Sequence, residues 1–141
     1  MKDNIVFTKI YEDIHLIELY VVCSSSVATI RSRIYVDGSM IGRLAKRIKR
    51  FLNSKTKEVL WANEDKGNDS TACLSLRFLK KDNQGHIAVE VFAELDDGGD
   101  FTEHNCCFYV NTEHGLLMRF GESLSLLDDA PLGFEIQLNQ V

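Results

Sequence analysis

The sequence nowhere sets about 18 apolar residues in a row, so no membrane-crossing helix is expected. Its N-terminal stretch, MKDNIVFTKIYED, interrupts apolar residues with charge every few positions and leaves no h-region for a secretory signal. The expected address is the cytoplasm. Cysteine is scarce: of Cys23, Cys73, Cys106 and Cys107 only the last two are near one another, and adjacent residues of a strand point to opposite faces. Free thiols are expected, with no structural disulfide. No GxxxxGK(S/T), GxGxxG, HExxH or GxSxG string occurs, so the phosphate-cradling and hydrolase signatures are missing and no cofactor is expected. The paired short cysteine or histidine spacings of a structural zinc site are missing as well.

Two gaps of one sign in the charge pattern say more than the net charge of −5. Residues 43–57 hold no acid but seven basic residues, Arg43, Lys46, Arg47, Lys49, Arg50, Lys55 and Lys57, which leaves nine basic residues against 21 acids elsewhere. Residues 82–118 hold no lysine or arginine but eight acids. Charge blocks of opposite sign can steer a partner or favour self-association, and say nothing about fold. Otherwise the composition is that of a globular chain, 45% hydrophobic and 26% charged, of the length of one domain.

Periodicity supplies the elements. IHLIELYVVC and VATIRSRIYV alternate as half-buried strands do, and the SSS at 24–26 between them predicts a hairpin. A shorter strand is expected over residues 4–11. In DGSMIGRLAKRIKRFLN, residues Ile41, Leu44, Ala45, Ile48 and Leu52 share one helical face, with Arg43, Lys46, Arg47 and Arg50 largely opposite and Asp37 or Ser39 as N-cap. KEVLWAN then reads as a short strand. TACLSLRFLK, HIAVEVFAEL and FTEHNCCFYVN read as three more, separated by the turn signals KDNQG and DDGGD. A second helix should follow, with Leu116, Leu117, Phe120, Leu124 and Leu127 on one side and Asn111 or Thr112 as its cap. Pro131 stands where that helix must have ended, and GFEIQL closes as a strand. The expected fold is α+β, predominantly antiparallel sheet with two amphipathic helices. Both halves read strand, strand, strand, helix, strand, which raises an internal duplication of a β-β-β-α-β unit, residues 4–63 and 70–138 sharing one core in a single domain over 1–141.

The densest collection of reactive side chains is FTEHNCCFYVNTEHG, residues 101–115. Strand alternation divides it: Thr102, His104, Cys106, Phe108 and Val110 share one face, and Phe101, Glu103, Asn105, Cys107 and Tyr109 the other. Cys106 falls with the apolar face and reads as a small core residue. A metal site would need His104 and Cys106 with two further ligands from His86, His114 or Cys73. No metal is expected, because nothing in the spacing marks such a set. Cys107 has no base or orienting group marked for it, as a nucleophile would require. DDGGD lacks the ligand spacing of a calcium loop and reads as a glycine turn flanked by solvating acids. The basic helix reads as a solvated face, able to pair with acids of the second half. Nucleic acid is disfavoured there because the acids dominate elsewhere and Phe51 is the one ring offered for stacking.

If Ile87, Val89 and Val91 point inward, then His86, Ala88, Glu90, Phe92 and Glu94 point outward, as do Phe101, Glu103 and Tyr109 on the next strand. Aromatic anchors within a charged rim suit a protein-binding surface, since rings bury much area at little entropic cost while charges set partner choice. Glu90, Phe92, Glu94, Phe101, Glu103 and Tyr109 are therefore the candidate partner-binding residues, and no catalytic or metal residue is assigned. The succession GHIAVEVFAEL, a cysteine-containing strand and EHGLLMRFGESLSLL, within residues 70–138, resembles small acidic cytoplasmic bacterial proteins that include immunity proteins of toxin systems. The resemblance implies a non-enzymatic protein that binds and blocks a cognate toxin, with a basic toxin domain as partner, and carries over no functional residue. Two other readings stand beside it. One is a small-molecule- or metal-dependent enzyme built around His104, Cys106 and His86. The other is a homo-oligomer, dimeric through Phe92 and Tyr109.

Overall fold

The alternating passages of the first half become three antiparallel strands in the computed structural model, which describes residues 3–63, 73–95 and 104–140. They are β1 (Asn4–Glu12), β2 (Ile17–Ser24) and β3 (Thr29–Val36). α1 (Gly38–Asn53) follows, capped by the Asp37 carboxylate, which accepts from the Met40 amide at 2.9 Å, and β4 (Glu58–Ala62) completes the half. The second half gives β5 (Cys73–Lys80), β6 (His86–Leu95), β7 (His104–Glu113), α2 (His114–Leu124) and β8 (Glu135–Gln137). The architecture is α+β, with eight strands in two antiparallel sheets and two helices.

The pairing exchanges one strand between halves. The first sheet runs β3-β2-β1-β8 and the second β4-β5-β6-β7, so each takes three strands from one half and its last from beyond the helix of the other. The helices lie on the inner sides. Phe120 of α2 meets Phe7 of β1 edge-on with ring centroids 5.5 Å apart, and Phe51 of α1 meets Phe78 of β5 at 6.1 Å. Both inner faces and the buried sides of both helices form one hydrophobic cluster. The buried residues of α1 are Ile41, Leu44, Ile48 and Phe51; Leu117, Phe120, Leu124 and Leu127 repeat their spacing in and just beyond α2. The helices cross closely at Gly121, where a Cβ would stand 3.1 Å from Ile48 Cγ2.

Three details differ from the sequence reading. β1 is longer than expected, because the chain continues past an irregularity between Lys9 and Tyr11 to Glu12. Phe51 is fully buried, since the α1 stripe that faces the core is centred on Ile41, Leu44, Ile48 and Phe51, leaving Ala45 and Leu52 at its margin. The N-cap of α2 is Glu113, without a side-chain cap bond. Asn111 and Thr112 are held elsewhere: Asn111 accepts from Lys81 and donates to Asp3, and the Thr112 hydroxyl donates to Asn139 at 2.6 Å.

Lys9 lies on the inward parity of Ile5 and Phe7 and is 0% exposed. Its ammonium donates to the carbonyl oxygens of Leu127, Asp128 and Ala130 at 3.0, 3.0 and 2.8 Å and pairs with Glu12 Oε1 at 3.0 Å. A cation just past a helix C-terminus satisfies carbonyls that the helix cannot, and opposes the negative end of its dipole. The Lys9 backbone is bound as well, its amide to Phe134 O and its carbonyl by Gly133 N. The Asp128 side chain lies against Gly38, where a Cβ would come within 2.9 Å of Asp128 Oδ2, so the same turn also meets the start of α1.

Replacing Lys9 with Met would keep the stem and remove the donors. Three buried or half-buried carbonyls would lose their charged partner, and the loss of stability in urea should be about 3 to 5 kcal/mol. A loss below about 1 kcal/mol would mean that water satisfies that turn as well as the ammonium does.

Candidate partner-binding face

Alternation sends Ile87, Val89, Val91 and Ala93 of β6 into the core and turns Glu90, Phe92 and Glu94 the other way. Register builds a row around each. Leu60 of β4 stands opposite Arg77 of β5, Arg77 opposite Glu90, and Glu90 opposite Tyr109 of β7. The adjoining row runs Ala62, Ser75, Phe92 and Cys107, and beyond it Cys73, Glu94 and Asn105. These rows lie on the side of the second sheet away from α1 and α2. Cross-strand neighbours on one face are close enough to interact directly.

The central row is fixed by charge. Arg77 Nη2 donates to Glu90 Oε2 at 2.6 Å, and the Tyr109 hydroxyl donates to the same oxygen at 3.0 Å. Arg77 Nη1 reaches Glu58 Oε2 at 3.4 Å, while Arg77 Nε is buried without a hydrogen-bond partner. The Glu90 side chain is only 17% exposed, whereas Tyr109 and Leu60 at the row's ends are 50% and 51% exposed. The Glu90 carboxylate raises the phenol of Tyr109 above its ordinary value of 10.0, chiefly by accepting its hydrogen bond and then by its charge. It raises the Arg77 guanidinium by the same two causes. A ring and an isobutyl group thus flank an ion pair whose members are already positioned. Such a surface can bind.

The structure brings Glu90, Phe92, Glu94 and Tyr109 together on this face. Phe101 and Glu103 lie outside the described residues, as does DDGGD at 96–100. Arg77, Glu58 and Leu60 belong to the same surface and were not singled out from sequence. The parity of TACLSLRFLK was the available signal for Arg77, because Leu74, Leu76 and Phe78 facing inward require it to face out. Leu60 and Glu58 needed the pairing of β4 with β5, which joins the two halves.

His86 is separated from the other residues of the metal or enzyme reading. His86 pairs with Glu113 at one end of the β6–β7 ladder and His104 with Leu95 at the other, so the two histidines stand nine strand positions, roughly 30 Å, apart. His86 Nδ1 instead contacts Asp82 Oδ2 at 2.6 Å. That contact, together with the Gln84 amide, holds the Asp82 carboxyl below the usual range. Cys106 is half-buried against the core and Cys107 exposed. Burial pushes the Cys23 thiol up to about 12. Among the described residues, no three His, Cys, Asp or Glu side chains converge as a metal site would require, and no helix is long and apolar enough to cross a membrane.

What the fold and this face define is an α+β protein of two exchanged antiparallel sheets that presents a charge-fixed, partly apolar surface. No protein-family model matches the chain, and comparison with curated proteins and with solved structures gives no significant match.

The Tyr109 phenol offers a direct reading of the network. A raised value means that the folded state holds the proton more tightly, so its contribution to stability is complete below pH 10 and is lost as pH rises through and beyond the folded value. The difference absorbance titration between wild type and Tyr109→Phe should place this phenol above 10.0, and Glu90→Gln should bring it down. An unchanged midpoint in Glu90→Gln would show that the carboxylate does not set it.

Proposed function

We propose that the protein is a non-enzymatic protein-binding module acting in the cytoplasm. Its contact surface is the outer face of the second sheet, built on Glu90, Phe92, Glu94 and Tyr109 with Leu60, Arg77 and Glu58, and with Phe101 and Glu103 as sequence-assigned members. The observation that carries this reading is the half exposure of Tyr109 and Leu60 on either side of a preset ion pair. Burying a ring and an isobutyl group against a partner would remove apolar area from water at little conformational cost, because Tyr109 is already held by Glu90. Glu58, Glu90 and Glu94 outnumber Arg77 on this face, an excess of acid that favours a partner with a basic rim. Blocking of a basic bacterial toxin domain by a small acidic immunity protein is the particular form that the sequence resemblance supports.

The test compares wild type with Leu60→Asp/Tyr109→Ala, two exposed positions whose change leaves the core intact. Tagged protein recovered from its native cells should carry one small basic protein at near equal amount, and the double variant should lose at least tenfold of it while its melting temperature shifts by only about 2 °C. Equal recovery by both proteins would remove this face from the interaction. A dimer mass in light scattering that the double variant converts to monomer would instead assign the face to self-association.

A further inference from the structure

The structure leaves the basic helix unexplained as a structural element. Arg43, Lys46, Arg47 and Arg50 recur at the spacing of one ridge along α1, with Lys49 beside it and Lys55 and Lys57 just past its end. Arg43, Lys46, Lys49, Arg50, Lys55 and Lys57 are all exposed. Among the described residues, none of the seven cations forms an ion pair; the four ion pairs there use Lys9, His86 and Arg77. Arg47 bonds only to a backbone oxygen, Leu60 O, at 2.7 Å. Like charges three and four residues apart on a helix destabilise it. The helix dipole favours cations in the last turn, where Arg50 lies, and not in the first half, where Arg43 and Lys46 lie. Among the described residues the Asp37 carboxylate at the N-cap acts on Arg43, and no ion pair offsets the rest of this repulsion.

The fold also keeps the β6 acids of the partner-binding face away from the ridge, while Glu58 of β4 lies next to Lys57. α1 meets the inner side of the second sheet through Phe51 and Phe78, whereas Glu90 and Glu94 project from its outer side. The ridge reaches the sheet at the edge strand β4, where Arg47 donates to the Leu60 carbonyl at 2.7 Å. With six exposed cations and none of the seven in an ion pair among the described residues, α1 and the turn after it are locally basic although the net charge of the chain is −5.

We infer that this ridge binds duplex nucleic acid through its phosphates, without reading sequence. The patch chemistry selects among anionic partners. Insertion into an anionic membrane would need apolar side chains, but Ile41, Leu44, Ile48 and Phe51 are all committed to the core. Stacking on single-stranded bases would need an exposed ring, and burial removes Phe51, the one aromatic residue of the stretch. An acidic protein surface is the weaker fit, because protein interfaces are depleted in lysine and centre on desolvated anchors, whereas this ridge carries lysine and no exposed large apolar side chain. Guanidinium and ammonium groups spaced along one exposed line match what phosphate contacts use.

The experiment is fluorescence anisotropy of a labelled mixed-sequence DNA duplex of about 20 base pairs, titrated with the full chain at several salt concentrations between about 50 and 200 mM. Binding should weaken with salt at a log–log slope of about −3 to −5, corresponding to some four or five phosphate contacts. Arg43→Gln/Lys46→Gln/Arg50→Gln should bind at least tenfold more weakly at the lowest salt and flatten the slope by about 2 to 3, while melting no lower than wild type because all three side chains are exposed. Tyr109→Ala, on the other side of the sheet, should bind the duplex as wild type does. The inference falls if wild type does not bind at the lowest salt or if the triple variant binds equally well. It also falls if polyglutamate competes as strongly as unlabelled duplex at equal charge, which would assign the ridge to an acidic protein. Binding to phosphatidylserine vesicles without binding to the duplex would overturn it in favour of a membrane surface.

Discussion

A buried ammonium holds the ends of this fold together. Lys9 lies in the middle of the first strand, yet its donors reach the turn after the second helix, more than one hundred residues later in the chain. An unpaired charge in that position would be prohibitively costly, so its four oxygen partners are a requirement of the fold. Meeting that requirement fixes the path of residues 127–130, brings Asp128 against the start of α1, and delivers the chain to β8 beside β1. The position of one side chain thus constrains both helices and the closing strand.

The partner-binding face and the basic ridge depend on the same arrangement. With both helices on the inner sides of the sheets, the second sheet presents Leu60, Arg77, Glu90 and Tyr109 outward, and the cations of α1 meet that sheet only where Arg47 reaches the Leu60 carbonyl among the described residues. Among the described acids of the second half, Glu90 and Glu94 lie on the side of the second sheet away from α1. The two surfaces differ in substance: one is a fixed ion pair flanked by apolar groups, and the other is a line of exposed cations, joined to the first through the Arg47 bond to Leu60 O.

Much of this was legible in the sequence because local period determines it. Alternation located the strands, a stripe of Ile41, Leu44 and Ile48 located α1, and Pro131 marked the end of α2. The same period could have placed Phe51 inward, since it follows Ile48 by three residues and Leu44 by seven. Lys9 was legible only to a parity argument that ran against its charge: it follows Ile5 and Phe7 at alternate positions, and charged residues are rarely buried in the absence of partners that sequence does not display. The exchange of β4 and β8 was not legible, because strand pairing across a domain depends on contacts that no local window contains. For the binding face, the β6 and β7 residues followed from alternation alone, whereas Leu60, Glu58 and the Arg77–Glu90 bond followed from register.

The exchanged strands also govern how the chain can be made. As it leaves the ribosome, the first half can form its hairpins, but β1 keeps an open edge until residues 135–137 emerge, and β4 has no sheet to join until β5 follows it. The first half completes neither sheet during its own synthesis, and the first sheet waits for β8. Final closure is therefore a late, long-range event, of the kind that slows folding and leaves strand edges exposed to other chains meanwhile. A nick between β4 and β5 would yield two fragments, each lacking the outermost strand of its sheet and each holding the missing strand of the other.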